Sequence, residues 1–187
     1  MNELIQWDQQ AFLAINNGWA SPVLDLLLPP ARNMYVWAPL YIFFVAWFSL
    51  NFGKKGWQVI GLIILTFALT DILSSHLIKP WIGRLRPCND AGMQQYVRLL
   101  VGCGGGNSFT SSHAANHFGF ALFVGLVTRP YFRGILTILL TWAGTIALAQ
   151  VYVGVHYPLD IVGGSMLGCI SASVVYMLYK SKFKLPQ

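Results

Sequence analysis

Apolar residues in this chain come in long runs broken by short polar gaps. Five runs stand out: Asn33–Leu50, Trp57–Ile78, Ser112–Thr128, Gly134–Val153 and Asp160–Tyr179. Roughly 20 mostly apolar residues in a helix cross a hydrocarbon core of about 30 Å, so each run is read as a membrane span. The pattern predicts an all-α, polytopic helical bundle. The polar start of the third run and the polar end of the fourth belong at the interface or along a cavity.

Residues 1–32 follow a different pattern. Ile5, Trp7, Phe12, Leu13 and Ile15 mix with Asp8, Gln9, Gln10, Asn16 and Asn17, and Pro29-Pro30 stops a short apolar stretch around Asp25. Such a segment suits amphipathic helices lying at the membrane interface. The alternative, a sixth span across residues 11–29, would bury Asn16, Asn17 and Asp25. Residues 1–20 lack both a basic start and a long apolar run, so no signal peptide is expected. Asn51–Gly56 and Arg129–Arg133 read as tight inter-helix turns. Residues 80–111 form the one long polar connection, and loops of that length in compact proteins are commonly functional. The whole of 1–187 reads as one domain.

Composition sharpens this picture. Of 187 residues, 56% are hydrophobic and 10% charged, against about 25% charged in soluble domains. That excludes a disordered chain and an ordinary soluble domain. Twelve Lys+Arg stand against six Asp+Glu. A nucleic-acid partner would require clustered cations on a soluble, aromatic-studded surface, whereas these cations sit between apolar runs. Alternating the spans puts Lys54, Lys55, Arg129, Arg133, Lys180, Lys182 and Lys184 on one face, which the positive-inside rule assigns to the cytoplasm. The outer face carries Arg32, Lys79, Arg84, Arg86 and Arg98. Four of these five gather around the long loop, which orientation does not require.

Every outer span end carries unusual chemistry. Lys79 and Arg86 are fixed charges, and Arg grips phosphate oxygens bidentately. Ser111 and Ser112 open a helix whose free N–H groups and hydroxyls, pointing outward, make an anion site. His156 and Asp160 are four apart, with Pro158 suited to the first turn. A carboxylate there fixes the His tautomer and supports positive charge on the ring, making a nucleophile toward phosphorus. His113 then serves as the acid that protonates the leaving oxygen. The set describes phosphoryl transfer without a metal or other cofactor.

The order Lys-x6-Arg-Pro, Ser-Phe-x-Ser-x-His and His-x3-Asp resembles the type 2 phosphatidic acid phosphatase superfamily, over roughly Lys79–Asp160. The resemblance implies a site opening toward the outer leaflet and phosphohistidine catalysis. His156 would be the nucleophile, Asp160 its orienter and His113 the general acid, with Lys79, Arg86, Ser111 and the Ser112 backbone binding the phosphoryl group. The family's Pro-Ser-Gly-His reads Thr110-Ser111-Ser112-His113 here, so Ser112 replaces a glycine. The larger departure is Ala149-Gln150 where the family carries Ser-Arg. Gln150 still donates hydrogen bonds but carries no charge, and loss of one such donor costs on the order of 3 kcal/mol. Arg84 and Arg98 are the candidates to compensate.

Each position also admits a blander role. Lys79 and Arg86 alone would read as snorkelling cations, and His156–Asp160 as a turn-closing bond. His113 and His117 have metal-ligand spacing but no acidic or Cys partner nearby. Asp71 and His76 are read either as inter-helix bonds or as cavity lining. Gly163, Gly164 and Gly168 suit close helix packing, and Cys169 is a small filler. A Cys88–Cys103 disulfide is expected in an oxidising outer compartment.

The reading that results is an enzyme of a bacterial cytoplasmic membrane, among membrane lipids, facing outward. It would remove a phosphate from a lipid phosphate or diphosphate. Candidate substrates are polyprenyl diphosphate, which leads on topology, phosphatidylglycerophosphate, phosphatidic acid and a lipid A phosphate. The alternatives are a lipid phosphotransferase and a hydrolysis-impaired lipid-phosphate binder or transporter.

Overall fold

A computed structural model describes residues 2–183 and Leu185; Lys184, one of the seven cations assigned inward, lies outside the described residues. The helices are α1 (Asn2–Asn16), α2 (Pro22–Ala31), α3 (Ala38–Asp71), α4 (Lys79–Ile82), α5 (Ser112–Thr128), α6 (Ile135–Tyr152) and α7 (Pro158–Leu178). A π-helical segment, Ile72–Ile78, joins α3 to α4, and no strand occurs among the described residues. By length and composition, three helical stretches among the described residues, Met34–Asn89, Ile135–Tyr152 and Pro158–Phe183, are long and apolar enough to cross a membrane.

The first two expected spans are the arms of α3. At Gly53 the backbone leaves helical geometry (φ 51°, ψ −125°), a left-handed φ that glycine adopts without a Cβ penalty. The arms then run back along each other. The Phe48 carbonyl lies so near Gly56 that an added Cβ would sit 1.9 Å from it, and the Tyr41 and Phe67 rings are 6.3 Å apart. A single glycine thus makes the turn expected over Asn51–Gly56.

α5 is central, packed on α7, α6 and α3. Small residues set its distance from α7: a Cβ on Gly164 would fall 2.4 Å from the Ser111 carbonyl, and one on Gly168 would fall 2.3 Å from that of Ala115. This is the close packing expected of Gly164 and Gly168. Below the seam, Phe44, Phe48, Ile60, Phe120, Phe123 and Val175 form the core.

The N-terminal helices form where amphipathicity predicts, but they do more than cover a surface. Asp8, Phe12 and Asn16, on one face of α1, are all buried, whereas Leu4, Ile5 and Trp7 are exposed. Phe12 packs edge-on against Tyr157 at 5.5 Å. Asn16 Nδ2 donates to the carbonyls of Arg98 (2.9 Å) and Tyr152 (2.7 Å), and its Oδ1 accepts from the Arg98 N–H at 2.8 Å. Asp25 of α2 accepts from Arg98 (2.7 Å) and from the Tyr152 hydroxyl (2.5 Å). Buried polar groups are tolerable when paired, and here their partners are the long 80–111 connection and the end of α6. Cys88 and Cys103 form the expected disulfide within that loop.

Candidate active site

Asp160 sits in the first turn of α7, with Pro158 at the helix start. Its Oδ2 accepts from the Tyr157 N–H at 2.8 Å, a side chain reaching back over its own helix start. The same oxygen accepts from the Ser108 hydroxyl, and Oδ1 accepts from Arg84 Nη1 at 2.9 Å. His156 Nδ1 lies 3.5 Å from Asp160 Oδ2 and 3.3 Å from Ser108 Oγ. Ser108 therefore links ring and carboxylate: it donates to Asp160 and accepts from the ring.

The opposite ring nitrogen, Nε2, is 3.2 Å from Arg86 Nη1. A guanidinium only donates, so Nε2 is the bare, accepting nitrogen and the proton resides on Nδ1. His156 is 2% exposed. Burial, reinforced by Arg86 and Lys79 and opposed by Asp160, pushes its pKa down to about 4, so the ring is neutral at physiological pH. A lone pair is thus aimed at a cation, with an oriented N–H behind it. This is the arrangement of an imidazole ready to attack an electrophile.

The same motif blocks also hold donors without acceptors. Arg86 Nε, Gln150 Nε2 and Thr110 Oγ1 are buried and unpartnered. The Ser112 and His113 N–H groups at the start of α5 have no partner among the described residues. Arg32, Lys79 and His156 act electrostatically on His113. Buried donors are nearly always paired, and a helix N-terminus with clustered cations favours an oxyanion.

His113, His156, Asp160, Lys79, Arg86, Ser112 and Gln150 thus assemble around one site, but some details differ from expectation. Ser111 does not point its hydroxyl outward. It is buried, caps α5 by accepting from the Ala114 N–H at 3.4 Å, and its own N–H donates to the Asp160 carbonyl at 3.0 Å. The Ser112 hydroxyl lies 3.1 Å from Ser74 Oγ and 3.0 Å from Ser75 Oγ. Ser75 in turn bonds Asp71 at 3.3 Å, so the π-helical segment aims two serines at the Ser-for-Gly position.

Arg84 and Arg98 are not the compensating cations. Arg84 bridges Asp160 and Asp8 and lies 4.1 Å over the Tyr157 ring. Arg98 is held by Asp25 and Asn16. The cation at position 150 is Arg32, whose Nε donates to Gln150 Oε1 at 3.1 Å. Sequence reasoning counted Arg32 only as an outer-face charge. It also gave Ser108 no role, although Ser108 opens the Ser-Phe-x-Ser-x-His block, and it missed Asp8.

His117 Nδ1 pairs with the His113 carbonyl at 2.7 Å and its ring meets Trp142 edge-on at 5.1 Å. Among the described residues no three His, Cys, Asp or Glu side chains gather as metal ligands. Asp71, Ser112, His113 and Asn116 form the polar end of a cavity of about 530 Å³, which continues between Tyr41, Phe44, Ile60 and Phe67. Of the two readings of Asp71, cavity lining fits; His76 faces outward.

The site thus combines an oriented imidazole, the nearby cations Lys79, Arg86 and Arg32, and an adjoining apolar cavity. Comparison with known proteins places the chain in a family. The profile of the PAP2 superfamily matches residues 55–184. The lipid A 4'-phosphatase of Bacteroides thetaiotaomicron is 32% identical over 168 residues, covering 87% of this chain and 72% of that protein. The crystal structure of Aquifex aeolicus LpxE superimposes with a TM-score of 0.71 at 27% identity, covering 90% of this chain and 93% of LpxE. A PAP2-type phosphatidylglycerolphosphate phosphatase from Bacillus subtilis shares the fold, with a TM-score of 0.78 at 22% identity, covering 97% of this chain and 89% of that one. The chain belongs to the PAP2 superfamily and is a membrane protein of its lipid phosphatases.

Proposed function

We propose that the protein hydrolyses a lipid phosphate monoester, with a lipid A phosphate as the preferred substrate class. The observation that carries the reaction is the neutral His156, its Nε2 lone pair facing Arg86 and its Nδ1 proton directed to Ser108 and Asp160. Nε2 attacks phosphorus while the P–O bond to the lipid breaks, and His113 gives its proton to the departing oxygen. The imidazolium that forms is stabilised by Asp160. Water then attacks the phosphorus of the phosphohistidine, giving its proton to the now deprotonated His113; the P–N bond breaks, inorganic phosphate leaves and both rings are restored. Lys79, Arg86, Gln150 Nε2 and the N–H groups at the start of α5 would hold the phosphoryl oxygens, where preorganised donors are most effective. Each of these steps uses protein groups alone, so activity independent of added metal is part of the proposal.

The lipid A assignment is supported by the Bacteroides relative and moves the preference away from polyprenyl diphosphate. The open cavity beside His113 is suited to an acyl chain. We read the two arms of α3 together with α5, α6 and α7 as five crossings. The inward cations then orient the site to the outside of a bacterial cytoplasmic membrane.

The test offers purified protein a panel of lipid A, phosphatidic acid, phosphatidylglycerophosphate and polyprenyl diphosphate, with and without a chelator. The expected result is chelator-insensitive phosphate release, fastest from lipid A. Faster release from polyprenyl diphosphate would overturn the substrate assignment, and release from no lipid would overturn the activity.

A further inference from the structure

The family's third block places an arginine where this chain has Gln150, removing one charge and several donors from the phosphate site. The structure brings the charge back from elsewhere. Arg32 follows α2, its backbone N–H returning to the Leu28 carbonyl at 3.3 Å, and Trp37 Nε1 pins the end of that helix by donating to the Ala31 carbonyl at 2.7 Å. From this fixed point the guanidinium reaches Gln150, a residue 118 positions later.

The contact also orients the amide. Arg32 Nε has only a proton to offer, so it must face the carbonyl oxygen, as it does at 3.1 Å. The NH2 end is thereby turned the other way. Gln150 is fully buried, and its Nε2 has no protein partner. Leaving a buried donor unmade costs about 1–3 kcal/mol, so an acceptor is expected there in the working protein. The backbone carbonyl of Gln150 takes the backbone N–H groups of Val155 (3.2 Å) and His156 (3.3 Å), which ties this residue to the segment that carries the ring. Arg32 meanwhile acts electrostatically on both Arg86 and His113, so its charge belongs to the same cluster. Its Nη groups bond no residue among those described.

We propose that Arg32 and Gln150 together replace the family arginine: Arg32 supplies the positive charge and fixes the amide, and Gln150 Nε2 donates to a phosphoryl oxygen. This rests on the phosphatase reading above and adds a positioning residue from outside all three motif blocks. A free-standing arginine at 150 would be redundant, because it would face Arg32 and Arg86 with like charge.

Two readouts separate the inference from the reading beneath it. The first is stabilisation of the detergent-solubilised protein by inorganic phosphate, which needs no turnover. The second is kcat/KM for lipid A phosphate release. Arg32→Ala is expected to weaken phosphate binding about tenfold and lower kcat/KM about a hundredfold, with Arg32→Lys in between. Gln150→Arg alone brings no gain. The double variant Arg32→Ala/Gln150→Arg recovers both readouts, a rescue that loss of a merely structural contact would not give. Unchanged phosphate binding in Arg32→Ala overturns the inference. So does a double variant no better than Arg32→Ala while its melting temperature matches the wild type. Failure of the wild type to hydrolyse any lipid, with the phosphate-binding pattern as described, would instead strike only the phosphatase reading.

Discussion

Asp8 is the residue whose loss should reveal how the N-terminal helix serves the site. Its carboxylate is buried, accepting from Arg84 Nη2 at 2.5 Å and from the Leu159 N–H at 2.8 Å. Arg84 holds Asp160 with its other arm at 2.9 Å. Asp8→Ala removes two bonds to a charged acceptor, each worth about 1.5–3 kcal/mol. Breaking a buried pair costs about 3–5 kcal/mol when the survivor is stranded. Arg84 is not stranded, since Asp160 and the Tyr157 ring remain, so the lower end, about 3 kcal/mol, is expected. At about 2–4 °C per kcal/mol for a chain of this size, the melting temperature should fall by about 6–12 °C. With Arg84 no longer fixed on both sides, Asp160 loses part of its alignment, and kcat/KM should drop about tenfold. Tryptophan-monitored melting in detergent reads the first effect, and a double-mutant cycle with Arg84→Ala reads the coupling, expected to be about 1 kcal/mol or more. Trp7→Ala, on the exposed side of α1, serves as the near-neutral control. An Asp8→Ala melting point within 2 °C of wild type (roughly the shift of 1 kcal/mol or less), with additive effects in the cycle, would refute this account of α1.

Other outcomes follow from the same geometry. His156 is held neutral down to about pH 4, whereas in the unfolded chain it takes a proton near pH 6.5. The unfolded state therefore binds more protons between these values, and stability should fall as pH drops through that window, by up to roughly 3 kcal/mol. His156→Gln should flatten that part of a melting-versus-pH curve, and an unaltered slope would contradict the burial argument. Gly164→Ala would place a Cβ 2.4 Å from the Ser111 carbonyl, forcing α5 from α7 and removing most activity. Gly144→Ala, on an open helix face, should be neutral or stabilising by about 1 kcal/mol; equal effects of the two would discount the seam. The Cys88–Cys103 bond closes a loop with a sequence separation of 15, worth about 3 kcal/mol. Reductant should lower the melting temperature of the wild type but not of Cys88→Ser/Cys103→Ser.

Much of the fold was legible because long apolar runs and short polar gaps leave a helical chain few arrangements in lipid. The gathering of the candidate site residues was legible because they fall in three compact blocks, each with a recognisable chemistry. The cysteine pair was legible for a similar reason, both residues falling in one long polar loop. What stayed hidden depends on long-range pairing. Asp8, Asn16 and Asp25 read as the polar side of surface helices, and nothing local says that their partners lie 73 to 151 positions away. Arg32 read as one more outer cation, since its meaning comes from Gln150. Ser111 offered a hydroxyl to either solvent or its own helix, and local capping won. The π-helical turn before Lys79 has no sequence signature of its own, although the Ser74-Ser75 pair it aims at Ser112 is visible once the Ser-for-Gly change is noticed.

The central claim is that His156 Nε2 takes the phosphoryl group. The most direct measurement is phosphate release from lipid A by wild type and His156→Ala, both in detergent and both shown to be folded by their melting profiles. Release by the wild type, and none above background by His156→Ala, is the expected result. Release by His156→Ala at the wild-type rate would contradict the claim.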